Sequence, residues 1–384
     1  MNKMASIDAV GAERLEIVSS TDRLAAIEAE WVDLWHRTHA LIFQSHAWVS
    51  AWWSTVRDRD RRSLRIGLVW SDDRLVAVIP LAIGRRKGLR LLEWAANSYT
   101  DYGDILVAPE CSLSALQNLW NRICSAGGFD LAFINRLSPD AGARRIFTPG
   151  SSSGVKLRAN HREEVSYRVA GQWASGAAWL ADQPKKMRQN YRRGIKILEE
   201  TGEAKFRLLS ADEPLQPLLE RLSALKRRWL EKHTRESDLF EEGEPVLAAL
   251  VDALSRAGVL RIFVLECNGA MVAVSINIVQ HNVMMAFVTT YDPDFSRASP
   301  GAVLITEYIQ WSFDHGLGLV DFLCGGEAFK HRFATQAVTL QSVLGARTVQ
   351  GALASLADRI CQTIRVRSRG LASANPERPP DETA

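Results

Sequence analysis

Residues 291–302 read Tyr291-Asp292-Pro293-Asp294-Phe295-Ser296-Arg297-Ala298-Ser299-Pro300-Gly301-Ala302. The apolar run from about Asn282 to Thr290 predicts a strand entering this loop, and the pattern from Gly301 to His315 predicts a helix leaving it. Pro near the first helical position, with small residues around it, leaves the opening N–H groups of the helix to an anion. Arg297 adds a side chain suited to a phosphate. The same features also describe an ordinary capped helix with a solvated arginine. Gly316-Leu317-Gly318 closes the helix, and Leu319 to Leu323 is a further apolar strand.

Upstream, Leu260–Cys267 and Met271–Val279 form a hairpin across Asn268-Gly269, a strong two-residue turn signal. Two helices precede it, Pro217–Lys232 and about Pro245–Arg256. The first half of the chain repeats that order. A helix starts at Thr21, a second spans about Ser45–Val56, and strands Leu64–Trp70 and Leu75–Ile83 flank the polar turn Ser71-Asp72-Asp73-Arg74. A strand near Leu89–Trp94 leads to the loop Tyr99–Asp104. A helix over about Ser112–Ser125 follows, stopped by Gly127-Gly128, and then the strand Asp130–Ile134. The expected fold is therefore α/β with mixed sheets in two tandem domains, 14–170 and 205–350. A basic helical linker (171–204) joins them. A terminal basic helix (351–371) and a disordered tail (372–384) follow.

The 384 residues suit two domains of ordinary size. With 47 Lys+Arg against 44 Asp+Glu, the net charge of +3 is too small to imply nucleic-acid binding. No apolar run reaches the roughly 18 residues of a membrane span. The first 18 residues lack an apolar core for a signal peptide, so a cytoplasmic protein is expected. The five cysteines are scattered without a C-x-x-C pair, which speaks against a disulfide scaffold or a zinc ribbon. Seven of the twelve Trp precede residue 95. Trp31, Trp35, Trp48 and Trp52 fall at helical spacing and read as core, with sugar stacking or an acyl pocket as the alternative.

Three further stretches bear on chemistry. Asp321-Phe322-Leu323-Cys324-Gly325-Gly326-Glu327-Ala328-Phe329-Lys330 runs an apolar strand into a Gly-Gly break, which lets a ligand or another backbone approach. A plain turn with a surface ion pair fits the same residues. Pro184 to Ile197 holds six cations and no acid. Such a run is either a solvated face or a surface with an anionic partner. The last helix places Leu353, Leu356, Ile360 and Ile364 on one face among Arg359, Arg365, Arg367 and Arg369. It either packs on the domain or rests on an anionic membrane.

Three of these blocks together resemble the GNAT acyltransferases, in particular their CelD-like or FemAB-like branch: Lys185-x-x-Arg188-Gln189-Asn190-x-Arg192-Arg193-x-x-Lys196, then Tyr291-Asp292 with Ser299-Pro300-Gly301, then Asp321-Phe322-x-x-Gly325-Gly326-Glu327-x-x-Lys330. The resemblance covers roughly Leu15 to Gly345 and is strongest from Lys185 onward. It implies two tandem GNAT-like domains, the N-terminal one degenerate. The usual phosphate loop of that fold, a Gln/Arg-x-x-Gly-x-Gly/Ala run, is reduced here to Arg297-Ala298-Ser299-Pro300-Gly301-Ala302.

The resemblance implies an acyl-CoA co-substrate, no metal, and direct transfer of an acetyl or longer acyl group to an amine. The acceptor would be an amino sugar, an envelope or exopolysaccharide precursor, or a long-chain lipid amine. An alkyl ammonium with pKa near ~10.4 leaves only about 1 molecule in 2,500 neutral at pH 7, so a base is required. Candidate bases are Glu327 and Asp321, and candidate proton donors are Tyr291 and Tyr308. Tyr308 also reads as core, and His281 is a further base whose strand position favours a structural role. Thr289, Arg297, Ser299, Gly301, Ala302 and Lys330 are expected at the cofactor. Lys186, Arg188, Asn190, Arg192, Arg193 and Asp101 are expected at the substrate, with Asp104 beside Asp101. Peripheral membrane contact through the terminal helix is expected, and nucleic acid is not. The alternatives are a FemAB-like transferase using aminoacyl-tRNA and a non-catalytic partner in a polysaccharide assembly.

Overall fold

The computed structural model describes residues 13–150, 154–210 and 212–373, the last eleven of these by their backbone alone. The expected tail beyond Ser373 lies outside the described residues. In the first half the elements are β1 (Glu13–Val18), α1 (Thr21–Ala26), α2 (Glu28–Thr38), α3 (His46–Thr55), β2 (Ser63–Leu64), β3 (Ile66–Ser71), β4 (Arg74–Ile79), β5 (Leu81–Arg86), β6 (Leu89–Trp94), β7 (Leu106–Val107), α4 (Leu113–Ala126), β8 (Leu131–Leu137) and β9 (Arg158–Ala170). The second half comprises α5 (Gly176–Asp182), α6 (Lys185–Thr201), β10 (Ala204–Leu208), α7 (Leu215–Lys232), α8 (Val246–Arg256), β11 (Leu260–Cys267), β12 (Ala270–Gln280), β13 (Val283–Tyr291), α9 (Pro300–Asp314), β14 (Leu319–Cys324), α10 (Ala328–Phe333), β15 (Gln336–Ala346) and α11 (Val349–Ser373).

The repeated element order holds, and each half places its last apolar strand parallel to an earlier one. β6 pairs with β8 in the first half, and β13 pairs with β14 in the second. Five strands escaped the sequence reading: β1, β7, β9, β10 and β15. Two of them join the halves. β9, at the end of the first half, lies between β14 and β15. β15, at the end of the second half, lies between β9 and β8. The result is one 11-stranded sheet in the order β10-β11-β12-β13-β14-β9-β15-β8-β6-β5-β2. The expected boundary at residue 170 thus divides the chain but not the sheet.

The strand expected over Leu75–Ile83 breaks at Pro80, which has no N–H to give a ladder. β4 therefore stays in a second, four-stranded sheet, β1-β3-β4-β7, while β5 enters the large one. The tryptophans are core as read. Trp31 and Trp48 are fully buried, and their indole N–H groups donate to the Gln44 carbonyl and the Thr100 hydroxyl. The terminal helix departs from the packed alternative. Val349, Leu353, Leu356 and Ile360 are exposed, at 78%, 62%, 46% and 52%.

Candidate active site

β13 and β14 run side by side over only three residue pairs, Val283↔Leu319, Met284↔Val320 and Met285↔Asp321. Beyond these β14 turns to β9, and the edge of β13 is left open. The Asp292 N–H donates to the Val272 carbonyl on the β12 side. Strand alternation then turns the Thr290 backbone toward β12, and the Thr289 and Tyr291 backbone groups toward the open edge. In keeping with this, Lys226 Nζ from α7 donates to the Thr289 carbonyl at 3.3 Å. The Thr289 hydroxyl lies 2.8 Å from the Ser275 hydroxyl within the buried sheet.

α9 begins beside that edge. Ser299 is held in the left-handed region (φ 51°, ψ 52°), Pro300 is the first helical residue, and no side chain caps the helix. The basic helix α6 lies against this start. A Cβ on Gly194 would stand 2.6 Å from the Ala298 carbonyl oxygen and 2.7 Å from Val303, so only glycine lets the two approach this far. Between them is a cavity of about 200 Å³ lined by Asn190, Arg193, Arg297, Ser299, Ala302 and Arg332, among others. Three guanidinium groups around an uncapped helix start form an environment for an anionic group such as a phosphate.

The other face of the open edge belongs to α7, the β14–α10 turn and the first-half loop around Asp101. Lys226 lies 4.6 Å from the Trp229 ring and 5.8 Å from the Phe240 ring, and burial pulls its pKa down to about 8. Glu327 pairs with buried Lys330 at 3.0 Å. Burial works to raise the Glu327 pKa, but Lys330 and then Lys226 outweigh it and hold the carboxyl below its usual range. Gly325 (φ 128°) makes room for this pair, since a Cβ there would stand 2.4 Å from Glu327 Oε2 and 2.8 Å from Lys330 Nζ. The Cys324 N–H donates to Asp101 Oδ1 at 3.2 Å, and the Cys324 thiol faces the Asp101 carbonyl. Burial raises the Asp101 pKa to about 6 against the opposing pull of Arg136 and Lys330.

Several expected residues do not fit their roles. Asp321 accepts from the Tyr102 hydroxyl (2.6 Å), the Ser166 hydroxyl (2.7 Å), Arg168 Nε (2.9 Å) and the Leu323 N–H (2.8 Å). With both oxygens engaged it is a joint between the halves and not a free base. Tyr308 is fully buried under the sheet, and burial raises its pKa far above the ordinary tyrosine range, which suits core and not a proton donor. Tyr291 packs on the Gly301 turn, 3.0 Å from where a Cβ would stand. Asp104 accepts the backbone N–H groups of Ile105, Gly142 and Ala143, an anchor for its own loop. His281 sits exposed in the β12–β13 turn with φ 51°. Of the basic helix, Arg193 and Asn190 line the cavity, whereas Lys186, Arg188 and Arg192 do not.

Lys226 was missed by the sequence reading. Its signal lay in the helix pattern: Leu222, Leu225, Lys226 and Trp229 are spaced i, i+3, i+4, i+7, so a lysine occupies an apolar-face position.

At the equivalent place the first half is closed. β6 and β8 pair only at Leu91↔Leu131 and Leu92↔Ala132 before parting. Trp94 fills the gap, donating its indole N–H to the Asn135 carbonyl at 2.8 Å. The start of α4 is capped by the Ser112 hydroxyl, which accepts from the Ala115 N–H and donates to Glu13. An acidic, capped helix start and an indole plug leave no room for what the second half holds open.

Residues 185–331 match the family model described as an acetyltransferase (GNAT) domain. Over this part the chain is similar to the GNAT-type acetyltransferase domains, a likeness that supports an N-acyltransferase. No curated protein matches the sequence. Solved structures share the fold over most of the chain. The C-terminal domain (DUF2156) of a putative lysylphosphatidylglycerol synthetase from Agrobacterium fabrum aligns with a TM-score of 0.55 at 14% identity, covering 88% of this chain and 96% of that one. FemX aligns with a TM-score of 0.53 at 11% identity, covering 85% and 96%. L-PGS from Bacillus licheniformis aligns with a TM-score of 0.52 at 13% identity, covering 91% and 97%. Among the described residues no helix is long and apolar enough to cross a membrane.

Proposed function

We propose that the chain is an acyl-CoA-dependent N-acyltransferase that moves an acetyl or longer acyl group to a primary amine by direct attack in a ternary complex. GNAT domains in general take acyl-CoA as co-substrate. The contrast between the halves carries the reading. At one topological position the second half has an open strand edge beside an uncapped, arginine-flanked helix start, and the first half has Trp94 and a Ser112 cap. Catalysis is therefore assigned to residues 205–350 with the linker helix at 171–204, and 14–170 is assigned as its scaffold.

In this reading Arg193, Arg297 and Arg332 hold the phosphates of the donor at the start of α9. The Thr289 N–H, on the open edge, stabilises the oxyanion that forms at the thioester carbonyl. The acceptor enters from the α7 face, where the ionised Glu327 carboxylate binds its ammonium group and Asp101 lies behind. The acceptor is an amino sugar or envelope precursor, or a long-chain amine. The exposed apolar stripe of α11 supports contact with a lipid surface and so favours an acceptor presented there.

The test is thermal unfolding of the full chain with CoA thioesters from acetyl to palmitoyl. A thioester at 100 times its Kd stabilises by about 2.7 kcal/mol, and Arg297→Ala is expected to weaken that shift at fixed concentration. A shift with short chains alone selects a polar amine, and one with long chains alone selects a lipid amine. No shift with any thioester overturns the reading. Salt-sensitive RNA binding in that case moves it to aminoacyl-tRNA, and its absence moves it to a non-catalytic partner.

A further inference from the structure

Amine acylation needs a group to remove the acceptor's proton, and none of the three carboxylates near the open edge suits that task. Asp101 is buried behind the β14–α10 turn, where it accepts from the Cys324 N–H. Asp321 is enclosed by four donors. Glu327 is held ionised by Lys330 and is therefore a weak base. We propose that Lys226, at the open edge of β13, takes the proton from the acceptor amine.

The placement carries this assignment. Lys226 reaches from α7 to the Thr289 carbonyl, on the edge whose neighbouring N–H is assigned to the oxyanion. A carbonyl can accept from a neutral amine as well as from an ammonium, so this bond does not demand the charged form. Lys330 is different, because it is ion-paired to Glu327. The rings of Trp229 and Phe240 flank the Lys226 amine on its apolar side. The charges facing Lys226 are Glu327, which favours its ammonium, and Lys330 and Arg235, which oppose it. Together with burial they place its titration at about 8, close to working pH, where a base is most effective.

The step balances as follows. The neutral Lys226 amine takes one proton from the acceptor ammonium. The freed amine attacks the thioester carbon, the carbon–sulfur bond breaks, and the CoA thiolate takes the second nitrogen proton to leave as thiol with the amide formed. The Lys226 ammonium then returns its proton to water.

This assignment rests on the N-acyltransferase reading, and two measurements separate the two. Full-length chain carrying lysine labelled with 13C at Cε is titrated by NMR. One resonance is expected to titrate near 8 and to be missing from Lys226→Met, whereas a Lys226 resonance titrating in the ordinary range near ~10.4 overturns the assignment without any turnover. CoA release from acetyl-CoA and palmitoyl-CoA is then followed against pH with D-glucosamine and sphinganine as acceptor probes. The wild-type kcat is expected to rise through about pH 8. Lys226→Met and Lys226→Arg are expected to lose about 100-fold or more in kcat, with the rising limb gone and the thioester KM unchanged. Thioester binding with a Lys226→Met rate within threefold of wild type overturns Lys226 alone. No thioester binding to the wild type overturns both.

Discussion

Asp101 shows how one side chain carries both a cost and a task. Its carboxyl sits where the first-half loop meets the end of β14, and burial raises its pKa from 3.8 to about 6. A carboxyl whose folded pKa lies above its unfolded value contributes stability that is fully present below pH 4 and lost as pH rises through 6. Asp101→Asn removes that loss and keeps an oxygen for the Cys324 N–H. It is expected to raise stability by about 1–2 kcal/mol at pH 7, with the gain vanishing below pH 4. Denaturant unfolding at the two pH values checks this, and equal gains at both would overturn it. Asp101, Glu327 and Arg297 were legible as candidates because they stand in short polar stretches at strand and helix ends, where sequence order reports position, whereas Lys330, expected at the cofactor, is instead ion-paired to Glu327 on the α7 face. Asp321 was misread because three of its partners, Tyr102, Ser166 and Arg168, come from the other half, more than 150 residues away. No local pattern records such contacts.

At the scale of the elements, α6 and α9 depend on each other through one missing methyl group. Gly194 brings the basic helix down to the Ala298 carbonyl and Val303. Gly194→Ala forces a carbon into backbone that has no room to give, and overpacking of this kind costs about 1–3 kcal/mol. Any retreat of α6 also carries Arg193 and Asn190 away from the cavity. The expected result is a lower melting temperature together with a smaller thioester-induced shift. A lower melting temperature with the full shift retained would show that α6 does not help to form the donor site. The helices and the central strands were readable because their apolar periods are strong. β9 and β15 were not, because both lie in the seam of the sheet with polar residues alternating along them. In β9, Val165, Tyr167 and Val169 alternate with Glu164, Ser166 and Arg168, a half-buried strand pattern that the charge obscures.

The whole molecule is held by the exchange of its last strands. β9 completes the second half and β15 completes the first, so the open edge of β13 is framed by both. α11 leaves directly from β15 and inherits that rigid mounting. Asp358 accepts from Arg162 at 2.6 Å, and Gly351 backs onto the Asp130 carbonyl, where a Cβ would stand 2.2 Å away. These contacts fix the helix with Val349, Leu353, Leu356 and Ile360 facing outward. The helix runs 25 residues, about 37 Å. From Arg359 to its end it carries four arginines and no acid. An anionic lipid surface suits a helix of this composition, with four arginines and no acid in its last turns, and it covers the exposed leucines. The chain is therefore expected to co-sediment with vesicles containing about one-third anionic lipid and not with neutral ones. Leu353→Asp with Ile360→Asp is expected to abolish this without lowering the melting temperature, because both side chains are more than half exposed among the described residues. Co-sedimentation unchanged by the pair would remove the lipid surface from the reading and, with it, the preference for an acceptor presented in a membrane.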